Sequence, residues 1–233
     1  MIKRAIALAL LAVFAVAFGY LLVAYVPDTE LNQTARYYAE RTATELGAAN
    51  IVTAIVVTYR GLDTLGEVTV LFLAATIVGL VLAEGAHARG PGRRHRPPAG
   101  ELLTSGTRFL VPMILLLGVY VFVNGHLTPG GGFQGGAIIA SGVLLLLLAD
   151  PLRHFGHRLI AAIESVAGIL YVAIGIAGLI LAGGFLDTRI LPLGTLGELA
   201  SAGAIPLIYS LIGLKVGAEF ASMLASLAET EEL

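Results

Sequence analysis

Residues 50–83 read NIVTAIVVTYRGLDTLGEVTVLFLAATIVGLVLA, and this stretch decides the fold. Its second half, Leu65 to Ala83, is an apolar run of the length a helix needs to cross a hydrocarbon layer about 30 Å thick. Its first half holds a second apolar run, Ile51 to Val57, too short to cross, followed by the more polar Thr58-Tyr59-Arg60-Gly61-Leu62-Asp63. A bilayer tolerates such a break only where protein or a wet cavity surrounds the freed backbone groups, so residues 51–63 read as a half-helix or strongly tilted piece feeding a spanning helix.

Apolar blocks of the same kind lie on both sides. Ala5 to Val26 follows Met1-Ile2-Lys3-Arg4, and with no small-residue cleavage site before Pro27 it reads as a retained anchor. Ser105–Asn124, Gly135–Ala149, Leu159–Leu186 and Ala202–Leu227 supply four more. The expectation is an all-α, polytopic transmembrane bundle of six spans; the short alternating segments of a β-barrel are missing. Between the first two spans, Asp28 to Gly47 is polar and reads as a helix outside the bilayer, with a helix start at Ala49-Asn50. Glu84 to Pro98 is rich in Gly, Pro and Arg and reads as a linker. The expected organisation is a two-span module (1–86), a basic Pro/Gly-rich cytoplasmic linker (87–104), a four-span module (105–228) and an acidic tail (229–233).

Composition excludes several functions. With 57% hydrophobic and 13% charged residues and a mean hydropathy of +0.89, the chain is no water-soluble globule. The absence of Cys removes disulfides, thiolate metal sites and iron–sulfur clusters. No cofactor is implied. A net charge of −2 without a basic face argues against nucleic acid. There is no H-E-x-x-H, no plausible Ser-His-Asp arrangement and no carboxylate cluster suited to a metal, so the chain does not read as an enzyme.

Basic residues set the orientation. With the N-terminus in the cytoplasm, nine of them (Lys3, Arg4, Arg89, Arg93, Arg94, Arg96, Arg108, Arg153, Arg158) lie inside and four (Arg36, Arg41, Arg60, Arg189) outside, Lys215 being within the last span. The positive-inside rule then places both termini in the cytoplasm and the connection at 125–134 outside.

That connection, Asn124-Gly125-His126-Leu127-Thr128-Pro129-Gly130-Gly131-Gly132-Phe133-Gln134-Gly135-Gly136, holds six glycines in thirteen residues. One reading is a tight turn with helix-packing glycines; the other is a loop that folds back and offers amides or carbonyls to an ion or a neighbouring subunit. Without the GK[ST] of a phosphate loop it does not suit a nucleotide.

The same residues carry a resemblance. Gly125-His126 through Pro129-Gly130-Gly131-Gly132-Phe133 and Gly135-Gly136 resembles the GH-x-x-PGGGF-x-GG signature of the B subunit of Mrp-type multisubunit Na⁺/H⁺ antiporters, over about residues 100–228. Arg60-Gly61-Leu62-Asp63-Thr64-Leu65-Gly66-Glu67 resembles the RGFDTLGE element near the C-terminal end of the antiporter A subunit and in the E-type subunit of membrane-bound hydrogenases, with Leu62 where Phe is usual. The chain thus looks like a fusion of two neighbouring modules. The resemblance implies an integral cell-membrane subunit of a cation/proton antiporter, contributing to translocation and assembly. The alternative is a membrane-arm subunit, ion-pumping or merely scaffolding, of a related hydrogenase or sulfur reductase. Implied partners are antiporter-like subunits, Na⁺ and H⁺, and the lipid bilayer.

Charged groups inside hydrocarbon cost several kcal/mol and normally face a bundle interior or water. Asp63 and Glu67, four apart, share one helix face. They are candidates for handling a proton or Na⁺, with Arg60 beside them; the competing reading has Asp63 capping the helix and Glu67 pairing with Arg60. Lys215 and Glu219, also four apart, read as a mutually neutralising pair. Glu164 reaches toward Arg158 or Lys215, and His126 binds loop carbonyls. Arg60, Asp63, Glu67, Glu164, Lys215 and Glu219 are the ion-translocation candidates.

Overall fold

The computed structural model describes residues 2–26, 30–89, 99–150 and 155–232. Pro27, Asp28, the Arg93, Arg94 and Arg96 of the linker, Arg153 and Leu233 lie outside the described residues. The chain divides into two units, residues 1–37 and 38–233. The first holds α1 (Ile2–Ala24) and the start of α2 (Gln33–Leu46). α1 carries no charge after Arg4 and is long enough to span. Asn32 Oδ1 accepts from the amide of Ala35 at 2.8 Å, tying down an otherwise unpaired first-turn donor of α2.

The second unit continues through α3 (Ile51–Ala54), a π-helical turn (Ile55–Tyr59), α4 (Gly61–Arg89), α5 (Glu101–Val123), α6 (Gly132–Ala149), α7 (His157–Leu181), a short 3₁₀ turn (Thr188–Ile190) and α8 (Ile205–Glu232). Among the described residues six helices (α1 and α4 to α8) are long and apolar enough to cross a membrane. α8 is the hub, packing on α4, α5, α6 and α7, with Ile208, Ile212 and Val216 fully enclosed. Small residues bring α6 against its neighbours: a Cβ on Gly135 would sit 2.6 Å from the carbonyl oxygen of Gly118 on α5, and one on Gly136 2.8 Å from that of Gly213 on α8. Without a hydrophobic drive between helices in lipid, such close van der Waals contact is what holds spans together.

Several boundaries differ from the sequence reading, among them the start of α4 at Gly61 and the span of α8, Ile205–Glu232 where Ala202–Leu227 is expected. α4 runs past Ala83 to Arg89, since Glu84 to Arg89 contains no proline to stop it. α5 starts at Glu101 rather than Ser105, with that carboxylate in its first turn, where it complements the helix dipole. α6 begins three residues early, at Gly132. α7 stops at Leu181, five residues before the expected Leu186, because Gly183 takes φ +84° and the chain leaves the helix. Residues 182–204 then form an irregular segment, whose Leu186, Ala202 and Ala204 enter the core.

Candidate ion-handling sites

The break before α4 buries one side against protein, with Thr53, Ala54 and Val57 inside and Val52 and Arg60 exposed. Asn50 caps α3, its Oδ1 accepting from the Thr53 amide at 3.3 Å. The chain then widens into a π turn closed by the Arg60 amide donating to the Ile55 carbonyl at 2.7 Å. Thr64 Oγ1 donates to the Val56 carbonyl at 2.6 Å, and the hydroxyls of Thr58 and Thr188 meet at 3.0 Å. Tyr59 donates to Glu45 Oε2 at 3.1 Å and stacks on Tyr38. Thr53, Ala54 and Val57 are wholly buried. The Asn50 and Thr64 side chains satisfy backbone groups that lipid would leave unpaired.

Arg60, at the break, is taken by Asp63: Nε donates to Oδ2 at 2.6 Å and Nη2 lies 2.5 Å from the same oxygen, both side chains being largely exposed. Asp63 sits in the first turn of α4, inside the helix and not at its cap position, where its charge complements the helix dipole. The Arg60–Glu67 pair considered from the sequence does not form; Asp63, one turn nearer, occupies the guanidinium. Glu67 lies six residues into α4, about 9 Å along its axis, on an exposed face, with Tyr171 of α7 within electrostatic reach. Tyr171 itself donates to the Gly61 carbonyl at 3.3 Å, joining α7 to the start of α4.

The glycine-rich connection is a tight turn whose carbonyls are claimed from a distant part of the chain. Asn50 Nδ2 donates to the carbonyls of Gly125 and Thr128, each at 2.9 Å. Thr53 Oγ1 donates to Gly125 at 2.5 Å, and the Asn50 amide donates to the His126 carbonyl at 2.9 Å. Three carbonyls of the loop, those of Gly125, His126 and Thr128, are therefore occupied. His126 is fully buried; its Nε2 donates to the Glu198 carbonyl at 3.4 Å, while Nδ1 has no hydrogen-bond partner among the described residues. Burial holds the ring below the ordinary histidine range. Beyond the turn, Pro129 and Gly130 lead into α6, where Gly131, Gly132 and Phe133 lie around Tyr209 and Ile212 of α8 and Gly135 and Gly136 make the close contacts described above.

Deeper in the bundle three charged groups converge. Lys215 Nζ on α8 lies 2.7 Å from Glu219 Oε1, one turn along the same helix, and 3.8 Å from Glu164 Oε1 on α7. It also stands 4.9 Å from the centroid of the Phe72 ring of α4, a cation–π contact. Of the two partners considered for Glu164, Lys215 is the one it meets. The side chain of Glu219 is completely buried, and those of Lys215 and Glu164 nearly so. Gly168 of α7 leaves the space along which the lysine runs: a Cβ there would be 3.7–3.8 Å from Lys215 Cδ, Cε and Nζ.

A fourth charged pair escaped the sequence reading. Asp187 caps the 3₁₀ turn and receives Arg189 through Nε at 2.9 and 3.1 Å and through Nη2 at 2.5 Å. The guanidinium holds the Asp187 carboxyl below its usual range. The D-x-R spacing after Gly183-Gly184 was the available signal. No group of three or more His, Asp or Glu side chains among the described residues is arranged to hold a metal ion.

Comparison with known proteins adds the following. Residues 102–222 match the family described as a domain related to the MnhB subunit of Na⁺/H⁺ antiporter, and residues 2–104 match MbhE, the family of the E subunit of MBH. An uncharacterized protein of Methanocaldococcus jannaschii is 32% identical over 192 residues, covering 72% of each chain. Among solved structures, a chain of the membrane-bound sulfane sulfur reductase, an archaeal respiratory membrane complex, superposes with a TM-score of 0.84 at 40% identity, over 97% of this chain and 98% of that one. A chain of the Mrp complex from Dietzia sp. DQ12-45-1b superposes with a TM-score of 0.76 at 28% identity, over 97% of this chain but 26% of that one.

Proposed function

The chain belongs to the family of domains related to the MnhB subunit of Na⁺/H⁺ antiporters, and we propose that it is an integral subunit of a multisubunit cation/proton antiporter assembly, contributing to ion translocation and to assembly. The observation that carries this is the meeting of Glu164, Lys215 and Glu219 inside the spans. Three ionisable groups at that depth cost several kcal/mol and are kept where charge is used. Glu67 supports the reading from the other side. A carboxylate on an exposed face of a spanning helix calls for a neighbouring subunit or a wet path to cover it, which fits a subunit that works within a larger particle. In this reading Arg60 and Asp63 flank the entry to that path. The glycine-rich turn at His126 to Gly136 serves packing and subunit contact. Residues 1–86 and 105–228 act as two joined modules, with both termini on the cytoplasmic side.

A second reading is favoured by one observation. The likeness to the sulfane sulfur reductase chain runs end to end, whereas the Mrp chain is about four times longer than the part that matches. In that reading the chain belongs to the membrane arm of a redox-driven complex and either pumps ions or merely joins its catalytic and antiporter-like parts.

Transport separates an ion-handling subunit from a scaffold. In inside-out vesicles carrying the assembled complex, Glu67→Gln and Lys215→Ala should each lower Na⁺- or H⁺-coupled exchange without changing particle size. Wild-type exchange by both assembled variants overturns the translocating role. The neighbouring reading frames discriminate the parent complex: hydrogenase-like large-subunit genes beside this one favour the redox pump.

A further inference from the structure

We propose that Glu164, Lys215 and Glu219 form an internal site holding one exchangeable proton, and that its ligand is H⁺ and not Na⁺. The proposal rests on the reading that this chain handles ions. It follows from a charge count in a closed space. Two carboxylates share one ammonium, so with all three ionised the site carries one uncompensated negative charge away from water. Among the described residues no second cation is paired with it. α6 has no ionisable side chain at all. α5 has only Glu101 and Arg108 in its first turns and Tyr120 near its end. α4 has Asp63 and Glu67 at one end and Glu84, His87 and Arg89 at the other. On α7, His157 and Arg158 lie at the start and Tyr171 beyond the site. Among the described residues no ion pair joins Arg108 or Arg158 to the three. Glu219 is completely enclosed, and its Oε2 has no hydrogen-bond partner among the described residues.

One monovalent cation therefore completes the site, and the surroundings select the proton. Sodium needs several oxygen ligands; beyond the two carboxylates, Lys215 is bordered by the Phe72 ring and by Gly168, neither of which supplies a side-chain oxygen. A proton needs one carboxylate oxygen. Lys215 Nζ stands 2.7 Å from Glu219 and 3.8 Å from Glu164, so the two carboxyls share the one proton across a single ammonium. Exchange needs only a small swing of the lysine. The ammonium gives one proton to Glu219 and recovers one from Glu164, leaving Glu164 ionised beside Lys215 and Glu219 neutral, with every proton accounted for.

The charge count is measurable by infrared difference spectroscopy on the purified complex at neutral pH, reading the carbonyl band of protonated carboxyl groups and its shift in D₂O. Wild type should show one such group that disappears in both Glu164→Gln and Glu219→Gln, because either change leaves one carboxylate for one ammonium. Lys215→Met should about double the band, since both carboxyls must then be neutral. Replacing K⁺ by Na⁺ in the buffer should leave it unchanged. The band surviving both single glutamine variants, or vanishing when Na⁺ is added, overturns the proposal. The glutamine variants are near-isosteric, so they decide the matter even if Lys215→Met does not assemble. A correct band count combined with normal transport by Glu164→Gln and Glu219→Gln means that the site stores a proton off the transport path. The proton assignment then stands, while the part of the functional reading that rests on this cluster falls.

Discussion

Glu67 and Glu219 are the same functional group on two membrane-spanning helices, and the fold surrounds them in opposite ways. Glu219 is completely buried and meets Lys215 at 2.7 Å. Glu67 stands on an exposed face of α4, and Arg60, seven residues before it, is committed to Asp63. The chain thus supplies one carboxylate with its whole environment and leaves the other to be completed from outside. The first is a property of this fold and the second a property of an assembly, so substitutions at the two should act on different observables.

The largest effect belongs to the interior. Lys215→Ala leaves two buried carboxylates without their cation, and breaking a buried pair in this way costs about 3–5 kcal/mol. The detergent-solubilised complex should show a clearly lowered thermal midpoint, and an unchanged midpoint would mean that the interior site is wetter than its burial implies. Asn50→Ala comes next. It strips the α3 cap, leaves the Thr128 carbonyl without its Asn50 donor and leaves the Gly125 carbonyl to Thr53 alone, for about 1–3 kcal/mol. Proteolysis at the glycine-rich turn should rise accordingly.

His126 adds a pH dependence. Its folded ring is held below the ordinary value of 6.5 by burial, so the unfolded chain binds more protons and stability falls as pH drops through and below that value. Thermal midpoints measured at about pH 7.5 and about pH 5.5 should differ in wild type and converge in His126→Gln. The smallest effect is at the surface: Arg60→Ala removes an exposed pair worth under about 1 kcal/mol, so the midpoint should barely move. A large loss there would mean that the Arg60–Asp63 end of α4 is buried in the assembly.

The parts legible in the sequence share a physical cause. Spans announce themselves because a bilayer demands about 20 apolar residues in a row, and all six fall where such runs occur. Lys215 and Glu219 could be paired because a helix fixes the i,i+4 spacing. What the sequence does not show is which helices meet. Glu164 joins Lys215 only because α7 packs on α8, and Asn50 reaches the Gly125 carbonyl across 75 residues. Local competition also misled: Arg60 had two carboxylates within a helix turn or two, and the first-turn Asp63 won. The end of α7 was hidden because Ala182 to Leu186 continues the apolar run, and only Gly183-Gly184 betrays the exit.

The contrast between the two carboxylates is tested most directly by asking what touches Glu67 in the intact particle. Val70, one turn along the same exposed face of α4, can carry a photo-crosslinking side chain. Illumination of the assembled complex should join this chain through residue 70 to a different membrane subunit. Adducts with lipid alone, or within this chain alone, would contradict the account, because Glu67 would then have no partner subunit to complete it.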